Sequence, residues 1–493
     1  MRMKLPGWRK AAKWLGIGAV IAALLVFLVL ELFSRGAALI FNRAMEQQDL
    51  LRGTITVEKI YADALGHVFF ENLEWDDPDG DQILFVPSGD FEVRLWDVVS
   101  GHMKSTTLQE LNLNDAKVSV HFSDDMKVDF IRQSPDMKKL DKDPEDEWER
   151  TVSLVGKSEE ELKAIGERKR LHREKKMMKR WSNFNRKGQR IKCRLNFNRC
   201  QVEMLYKERH YIMRGVQLHA DINTERSIIL QATTGGFGGD MIGNSINIDG
   251  TVDLHDAMPQ CDLRLSLYDV DPSSLGFGVN IHDKMTLTSH FTGPLANPVG
   301  EGYIRMPRLD IPALSFTNVV GNIHCEDSQI TFSDVHANVY DGTLVAEGVY
   351  NIDTRYYHLQ GHGENLSARI ALPDSHLSCR VNMDIEFDSK GNHRTNAVRG
   401  TFESGPGRFH LMPFQRLAGS FSDAYKDLRF YDVVIEANGF SVSTDAFSII
   451  KGKLTLNPVQ LRDAEGRLLG TFDLQTEKAR LDQTRNNVDA VKH

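Results

Sequence analysis

The residues that could do chemistry in this chain are many, but their spacing is wrong for it. The 17 histidines are scattered. His219, His290, His336 and His410 fall in alternating runs, mostly on the polar side, with no second ligand at metal-site spacing. They read as solvent-facing or hydrogen-bonded side chains. GGFGGD at 235–240 is glycine-rich, yet no Gly-Lys-Ser/Thr follows and no helix opens, so a hairpin or bulge fits better than a phosphate cradle. No GxSxG elbow, Walker A loop, HExxH, EF-hand or kinase set occurs. Carboxylates are abundant on polar faces, and any pairing of two as acid and base would be arbitrary. The expectation is a protein that is not an enzyme, with no catalytic, cofactor-binding or metal residues and no cofactor.

The five cysteines are Cys193, Cys200, Cys261, Cys325 and Cys379. No CxxC pair exists. Each occupies an apolar position of an alternating run, as small buried hydrophobes do. A Cys193–Cys200 disulfide across a tight hairpin is the other reading, if the compartment oxidises.

The elements that must carry these residues are strands. From Asn244 to Leu366 apolar residues fall on every second position, with Gly, Pro, Asn or Asp at the breaks. The same pattern begins earlier, with Ile55 and Val57, then Val68 and Phe70, FEVRLWDVV, and Val118, Val120 and Phe122. DPDGD at 77–81 is a turn by composition. The alternation resumes at Ile191, where CRLNFNRCQVEML reads as two strands around a turn, and runs to GTFDL at 470–474. A weak echo places Gly250, Gly348, Gly400 and Gly470 in DGTVDL, EGVYNI, RGTFES and LGTFDL. Their spacing is too irregular for a strict solenoid. About 18 to 22 strands result; at roughly 4.8 Å each, a sheet about 90–100 Å long. A net charge of −8 with 26% charged and 41% hydrophobic residues describes folded protein and argues against nucleic acid as a partner.

Two segments break the pattern. The first 13 residues carry Arg2, Lys4, Arg9, Lys10 and Lys13 and no acid. An uncharged run follows from Trp14 to Leu30, extended by Leu32 and Phe33. About 20 residues at 1.5 Å each span a hydrocarbon core. Glu31 and Arg35 stand where a signal-peptidase site would begin, so the span reads as an uncleaved anchor. The anchor residues include Trp14, Leu15, Ile17, Val20, Leu24, Phe27 and Leu30. The basic flank predicts a cytoplasmic amino terminus and a translocated remainder. The second segment, 134–190, is acidic at first; residues 167–194 then hold 13 Lys or Arg against two Glu. Ser158 to Glu161 is a capping box opening a helix, with Leu171, Met178 and Trp181 as a thin apolar stripe. It reads as a solvated insertion whose halves partly neutralise each other. Alternatively, Arg168, Lys169, Arg173, Lys176 and Arg180 form a basic face for anionic headgroups or an acidic partner.

Gly293, Leu295, Asn297, Pro298, Gly300 and Gly302 spell a G-x-L-x-N-P-x-G-x-G phrase leading into a strand. VYDGTLVAEGVYNID follows at Val339–Asp353. With the amino-terminal span, the GTITVEKI strand and VRLWDVVSGHMKSTTLQELNLNDAKVSVHF, these phrases resemble the AsmA-like family, including its TamB relatives. The resemblance covers the anchor, about 50–130 and about 190–475; the 134–190 insertion has no counterpart in it. It implies an inner-membrane anchor, a long β-sheet curled into a groove, and passage of phospholipid toward the outer membrane.

The expected fold is therefore mainly β: a long, one-face-apolar, curled sheet with one transmembrane helix and a charged helical insertion. The boundaries are a basic cytoplasmic tail (1–13), the span (14–33), an N-terminal β region (36–133), the insertion (134–190), a repetitive β-groove (191–475) and a polar tail (476–493). A sheet with one apolar face must bury it or offer it to a ligand. Groove-lining candidates are Leu254, Leu263, Leu265, Leu267, Leu287, Phe291, Ile304, Ile323, Ile330, Phe332, Val381, Met383 and Ile385. The expected partner is membrane phospholipid, with a possible outer-membrane or periplasmic protein, for a single-pass inner-membrane protein with its bulk periplasmic. The alternative function is a non-enzymatic assembly factor for outer-membrane proteins, acting through exposed β-edges.

Overall fold

The computed structural model describes residues 53–122, 144–186 and 191–472, apart from short stretches at 64–65, 95, 98–99, 101–105, 207–208, 257, 276–280, 312–313, 372–375, 391–396, 410, 425–426, 451–452 and 457. The anchor residues from Trp14 to Leu30 and the polar tail lie outside the described residues. Among the described residues no helix is long and apolar enough to cross a membrane.

The protein is mainly β, and the strands follow from period-2 alternation of apolar residues. The described chain divides into two compact units. The first contains β1 (Thr54–Ala62), β2 (His67–Asp76), β3 (Gln82–Val93), β4 (Leu108–Asn114), β5 (Lys117–Phe122), β6 (Lys192–Tyr206), β7 (Arg209–Asn223), β8 (Ser227–Thr233), β9 (Gly236–Gly239) and β10 (Ser245–Asp253). Strands β1, β2 and β3 pair antiparallel in sequence. β4 and β5 both pair antiparallel with β3 and parallel with β6. The meander then resumes through β7, β8 and β10. GGFGGD supplies β9, which pairs with β7.

That parallel pairing explains the charged insertion. Antiparallel neighbours need only a hairpin, whereas parallel ones need a crossover of a dozen residues or more. The chain between β5 and β6 is this crossover, and it contains α1 (Pro144–Thr151) and α2 (Glu159–Arg186). The capping box forms: Ser158 N–H donates to Glu161 Oε2 (2.8 Å) and Glu161 N–H to Ser158 Oγ (3.2 Å).

The first unit holds a closed core of Val57, Ile60, Val68, Phe70, Val86, Leu113, Ala116, Cys200 and Val216. Val86, Ala116 and Cys200 are 0% exposed. Two expectations change here. FEVRLWDVV is strand only to Val93; Trp96 and Asp97 are helical. CRLNFNRCQVEML is the single strand β6, so Cys193 and Cys200 are seven residues apart on one extended segment, about 23 Å at 3.3 Å per residue. A disulfide needs Cα atoms within about 7 Å, and all five cysteines are free. The apparent turn is a bulge. Arg199 adopts a left-handed φ of 55°, which moves the inward positions from Cys193, Leu195 and Phe197 to Cys200, Val202 and Met204. The neighbouring strand breaks beside it at Asp115 (φ 54°). Arg199 and Asp115 form a two-armed ion pair at 2.8 and 2.9 Å.

The division along the chain falls within β11 (Gln260–Val270), after Leu263. The second unit contains β12 (Met285–Pro294), β13 (Val299–Ile311), β14 (Leu314–Glu326), β15 (Gln329–Val339), β16 (Gly342–Asn351) and β17 (Tyr356–Ser367). A minor sheet is formed by β18 (Leu377–Ser378), β21 (Gly407–Phe409) and β22 (Met412–Phe414). The main ladder continues with β19 (Arg380–Lys390), β20 (Ala397–Ser404), β23 (Arg416–Ala424), β24 (Asp427–Ala437) and β25 (Phe440–Ile450). It ends with β26 (Lys453–Leu456), β27 (Val459–Asp463) and β28 (Leu468–Phe472). From β12 to β25 every ladder strand pairs antiparallel with the next. Of the 28 described strand segments, three form the minor sheet. Three more share a neighbour with the segment before them (β5, β9 and β27), leaving 22 ladder positions.

Candidate functional site

The cross-strand register of the second unit assembles one apolar face. Leu287 stands opposite Ile304, and Phe291 opposite Gly300. Ile323 lies between Gly302 and Phe332, and Ile330 between Cys325 and Tyr350. Phe332 continues through Gly348 and Leu359 to Phe387. Val381 stands between Leu366 and Ser404, Met383 between Gly363 and Phe402, and Ile385 between Gly361 and Gly400. These residues belong to rows that cross the strands roughly at right angles. Leu265 and Leu267 alternate on β11 with Leu263. Leu254 and Leu263 belong to the first unit, where Leu254 is buried and Leu263 half-buried.

Glycine is what keeps the rows dense. A Cβ on Gly300 would sit 2.5 Å from the Phe291 ring, and one on Gly321 2.7 Å from a Val335 methyl. A large side chain therefore lies over the bare backbone opposite. Gly400 faces both Ile385 and Phe421, and Gly348 both Phe332 and Leu359. Two glycines of the sequence echo, Gly348 and Gly400, are this device; Gly250 instead meets the backbone of Asp262, and Gly470 has only the ring of Phe472, on its own strand, at 3.4 Å.

Several lining residues carry no sequence label of their own. Phe402, Phe421 and Phe430 form a cluster with ring centroids 6.3–6.5 Å apart. Tyr350 pairs with Tyr357, and burial pushes both phenols up. The signal for them was the same alternation, in GTFES, GSFSD and RFYDVV. Burial likewise pushes up the thiols of Cys325 and Cys379, keeping them protonated and weakly nucleophilic.

The accessibility of this face differs from that of the first unit's core. Leu287, Phe291, Ile304, Ile330, Phe332, Met383 and Phe387 are half-buried; Ile323, Val381 and Ile385 are buried. The opposite face is charged. Arg416 bridges Glu403 (2.8 Å) and Glu436 (3.1 Å). His358 Nδ1 lies 2.6 Å from Asp388, and His362 Nδ1 2.6 Å from Asp384. Such exposed pairs contribute about 0–1 kcal/mol each. They make this face wettable and fix which side turns to water. Among the described residues no group of His, Cys, Asp or Glu is arranged to hold a metal. His219 is exposed against Asn196 (2.6 Å), His290 and His336 are exposed, and His410 lies outside the described residues.

The basic helix turns much of its charge onto its own chain. Arg168 donates to Glu145 through two nitrogens (2.8 and 3.0 Å) and lies 3.8 Å over the Trp148 ring, so α1 and α2 clasp. Arg173 holds Asp353 and Ser328. Lys169 and Lys176 are half-buried; the Arg180 side chain lies outside the described residues. The stripe of Leu171 and Met178 is exposed. The packed side instead follows Leu162, Ile165, Lys169 and His172, at helical spacings of three, four and three, with Gly166 beside them. At Gly166 the helix lies against Asn351 and Thr354, which a Cβ there would meet in ordinary contact at 3.5 and 3.6 Å. Only Leu162 and Ile165 on that side are apolar enough to have marked it in the sequence.

Comparison with protein-family models, with curated proteins and with solved structures returned no match.

Proposed function

We propose that the apolar face of the second unit is a lipid-binding surface. On this reading the chain is a membrane-anchored periplasmic protein of the AsmA-like type, carrying phospholipid along a β-groove between the inner and outer membranes. One observation carries the proposal: rows of large apolar side chains, from Leu287 through Phe332 to Phe387, remain half-buried. In the same chain the first unit closes its core to 0% exposure at Val86. An acyl chain laid on such a surface gains about 0.8 kcal/mol per buried CH₂, which offsets its extraction from a bilayer. The family resemblance is part of the proposal and rests on the order of the phrases quoted above.

The test is photo-crosslinking from Leu265, Phe291, Ile330 and Met383 in cells. Phospholipid adducts are expected there and not at the outward neighbour Glu386. Ile330→Asp should abolish the adducts while leaving the unfolding midpoint nearly unchanged, whereas a packed core would lose several kcal/mol. Adducts confined to outward positions would refute the reading. A second reading, assembly of outer-membrane proteins through a sheet edge, is favoured by β28, where Leu468, Leu469 and Phe472 are exposed. It predicts protein adducts from those three residues and no lipid from Ile330.

A further inference from the structure

The apolar face of the second unit is not equally open along its strands. At one rim it is closed: Phe316 opposite Val339, and Leu366 opposite Val381, are all 3–7% exposed. At the other rim Phe291, Ile330, Tyr350 and Tyr357, members of one row, are half-buried. Ile352, just past Tyr350 in the β16–β17 turn, is 45% exposed. On β15 Val339 lies nine residues beyond Ile330, about 30 Å at roughly 3.3 Å each. One leaflet occupies about half of a hydrocarbon core roughly 30 Å thick. An acyl chain entering at the open rim can therefore lie along the strands and end before the closed one.

The open rim also holds polar groups that the fold leaves uncommitted. Ser389 donates to the Tyr357 phenol oxygen, but among the described residues the Tyr350 hydroxyl has no such partner. Tyr350 instead feels a cation: burial pushes its phenol up, and the Arg355 charge pulls it partly back. Arg355 sits in the β16–β17 turn, exposed, with a left-handed φ of 57° and its N–H donating to the Asn351 carbonyl oxygen at 2.8 Å. Asn or Gly would take this conformation more readily. Among the described residues no carboxylate pairs with its guanidinium. The acids of this turn and of the β14–β15 turn are already held, Asp353 by Arg173 and Asp327 by Arg170.

An unpaired cation and an uncommitted phenol at the mouth of an apolar face make an amphipathic site. The guanidinium fork matches the oxygens of a phosphate ester, and the phenol adds a further donor. We propose that Arg355 and Tyr350 hold the phosphate of a lipid headgroup at this rim, with the acyl chains running along the strands past Ile330 and Phe332. The assignment rests on the lipid-binding reading of the face and adds to it where the headgroup sits and what chemistry selects it.

To test it, the full chain is purified in non-ionic detergent and phosphate-free buffer with a photo-crosslinking amino acid at position 330. It is offered dioleoyl phosphatidylglycerol or dioleoylglycerol, which share their chains and differ in the phosphate. The expected result is capture of both, with phosphatidylglycerol favoured about tenfold, the factor that a charge-assisted hydrogen bond carries. Arg355→Gln should abolish that preference, while diacylglycerol capture and the unfolding midpoint stay at the parent's level; Arg355→Lys should keep part of it. Capture without preference in the parent, or a preference that survives Arg355→Gln, overturns the headgroup site and leaves the apolar face standing. Capture of neither lipid overturns both. Free phosphate is the other source of the same chemistry. Inorganic phosphate that binds the parent but not Arg355→Gln, with the two lipids captured equally, assigns the subsite to it and overturns the headgroup proposal.

Discussion

Arg173 Nη2 lies 2.8 Å from Asp353 Oδ2 and 2.7 Å from the Ser328 hydroxyl, so one guanidinium joins two hairpin turns of the second unit. Asp353 is 9% exposed at its side chain, and Arg170 reaches the adjoining Asp327 at 3.3 Å. Removing the arginine leaves a nearly buried carboxylate without its main partner. Arg173→Ala should therefore destabilise the second unit by about 1–3 kcal/mol. Asp353→Asn, which keeps an acceptor, should cost less. A double-mutant cycle read by chemical denaturation checks this: additive effects would show that the two groups do not interact energetically.

Gly400 gives a sharper test of the dense rows. A Cβ there would meet the Asp384 carbonyl oxygen at 2.1 Å and the Phe421 ring at 2.7 Å. The ring can swing aside, but the backbone oxygen cannot. Gly400→Ala should cost about 1–3 kcal/mol, and adding Phe421→Ala should not restore it. Rescue by the second change would place the crowding in the ring alone.

The alkaline limb of stability should carry the signature of Tyr356. Its phenol donates to Glu159 of α2, and burial, with the Glu159 charge and that hydrogen bond, pushes it up to about 12. Between pH 10 and about 12 the unfolded phenol has lost its proton while the folded one keeps it. The unfolded state binds fewer protons, so stability must fall as pH rises. The contribution is fully present below pH 10 and is lost toward 12. The slope is at most about 1.4 kcal/mol per pH unit, and less in practice because the phenol is partly solvated. Tyr356→Phe should flatten this limb in a pH series of unfolding midpoints; Tyr350 and Tyr357, also pushed up by burial, should supply the remainder.

The strands were legible because a one-sided sheet writes period 2 into its sequence. What was misread is where that period slips. Arg199, Asn318, Asp334, Asn365 and Asp432 all adopt φ between 50° and 58°. Each lies at or beside a register shift in its strand pairing. A left-handed residue inserts one extra position and turns the following side chains to the same face as before. In a single sequence this looks like a turn, as it did between Cys193 and Cys200. The glycines of the rows were visible only as an uneven echo, because their spacing is set by the residues across from them and not by the chain itself. The packed side of α2 was hidden for a related reason: Gly166 and Arg173 meet turns and His172 is buried, a pattern with little hydropathy signal.

The crossover between β5 and β6 has a consequence for how the chain folds. In the second unit each strand from β12 to β25 pairs with the next, apart from the minor-sheet strands β18, β21 and β22, so pairing can proceed like a zipper with little loop entropy to overcome. The parallel seam cannot. Asp115 and Arg199 meet across 84 residues, and β4 and β5 must wait for α1, α2 and β6 before their second edge is covered. During synthesis that edge is the long-lived open strand of the first unit, the one most exposed to wrong partners. Secure pairing therefore reaches β4 and β5 only after β6 has been made.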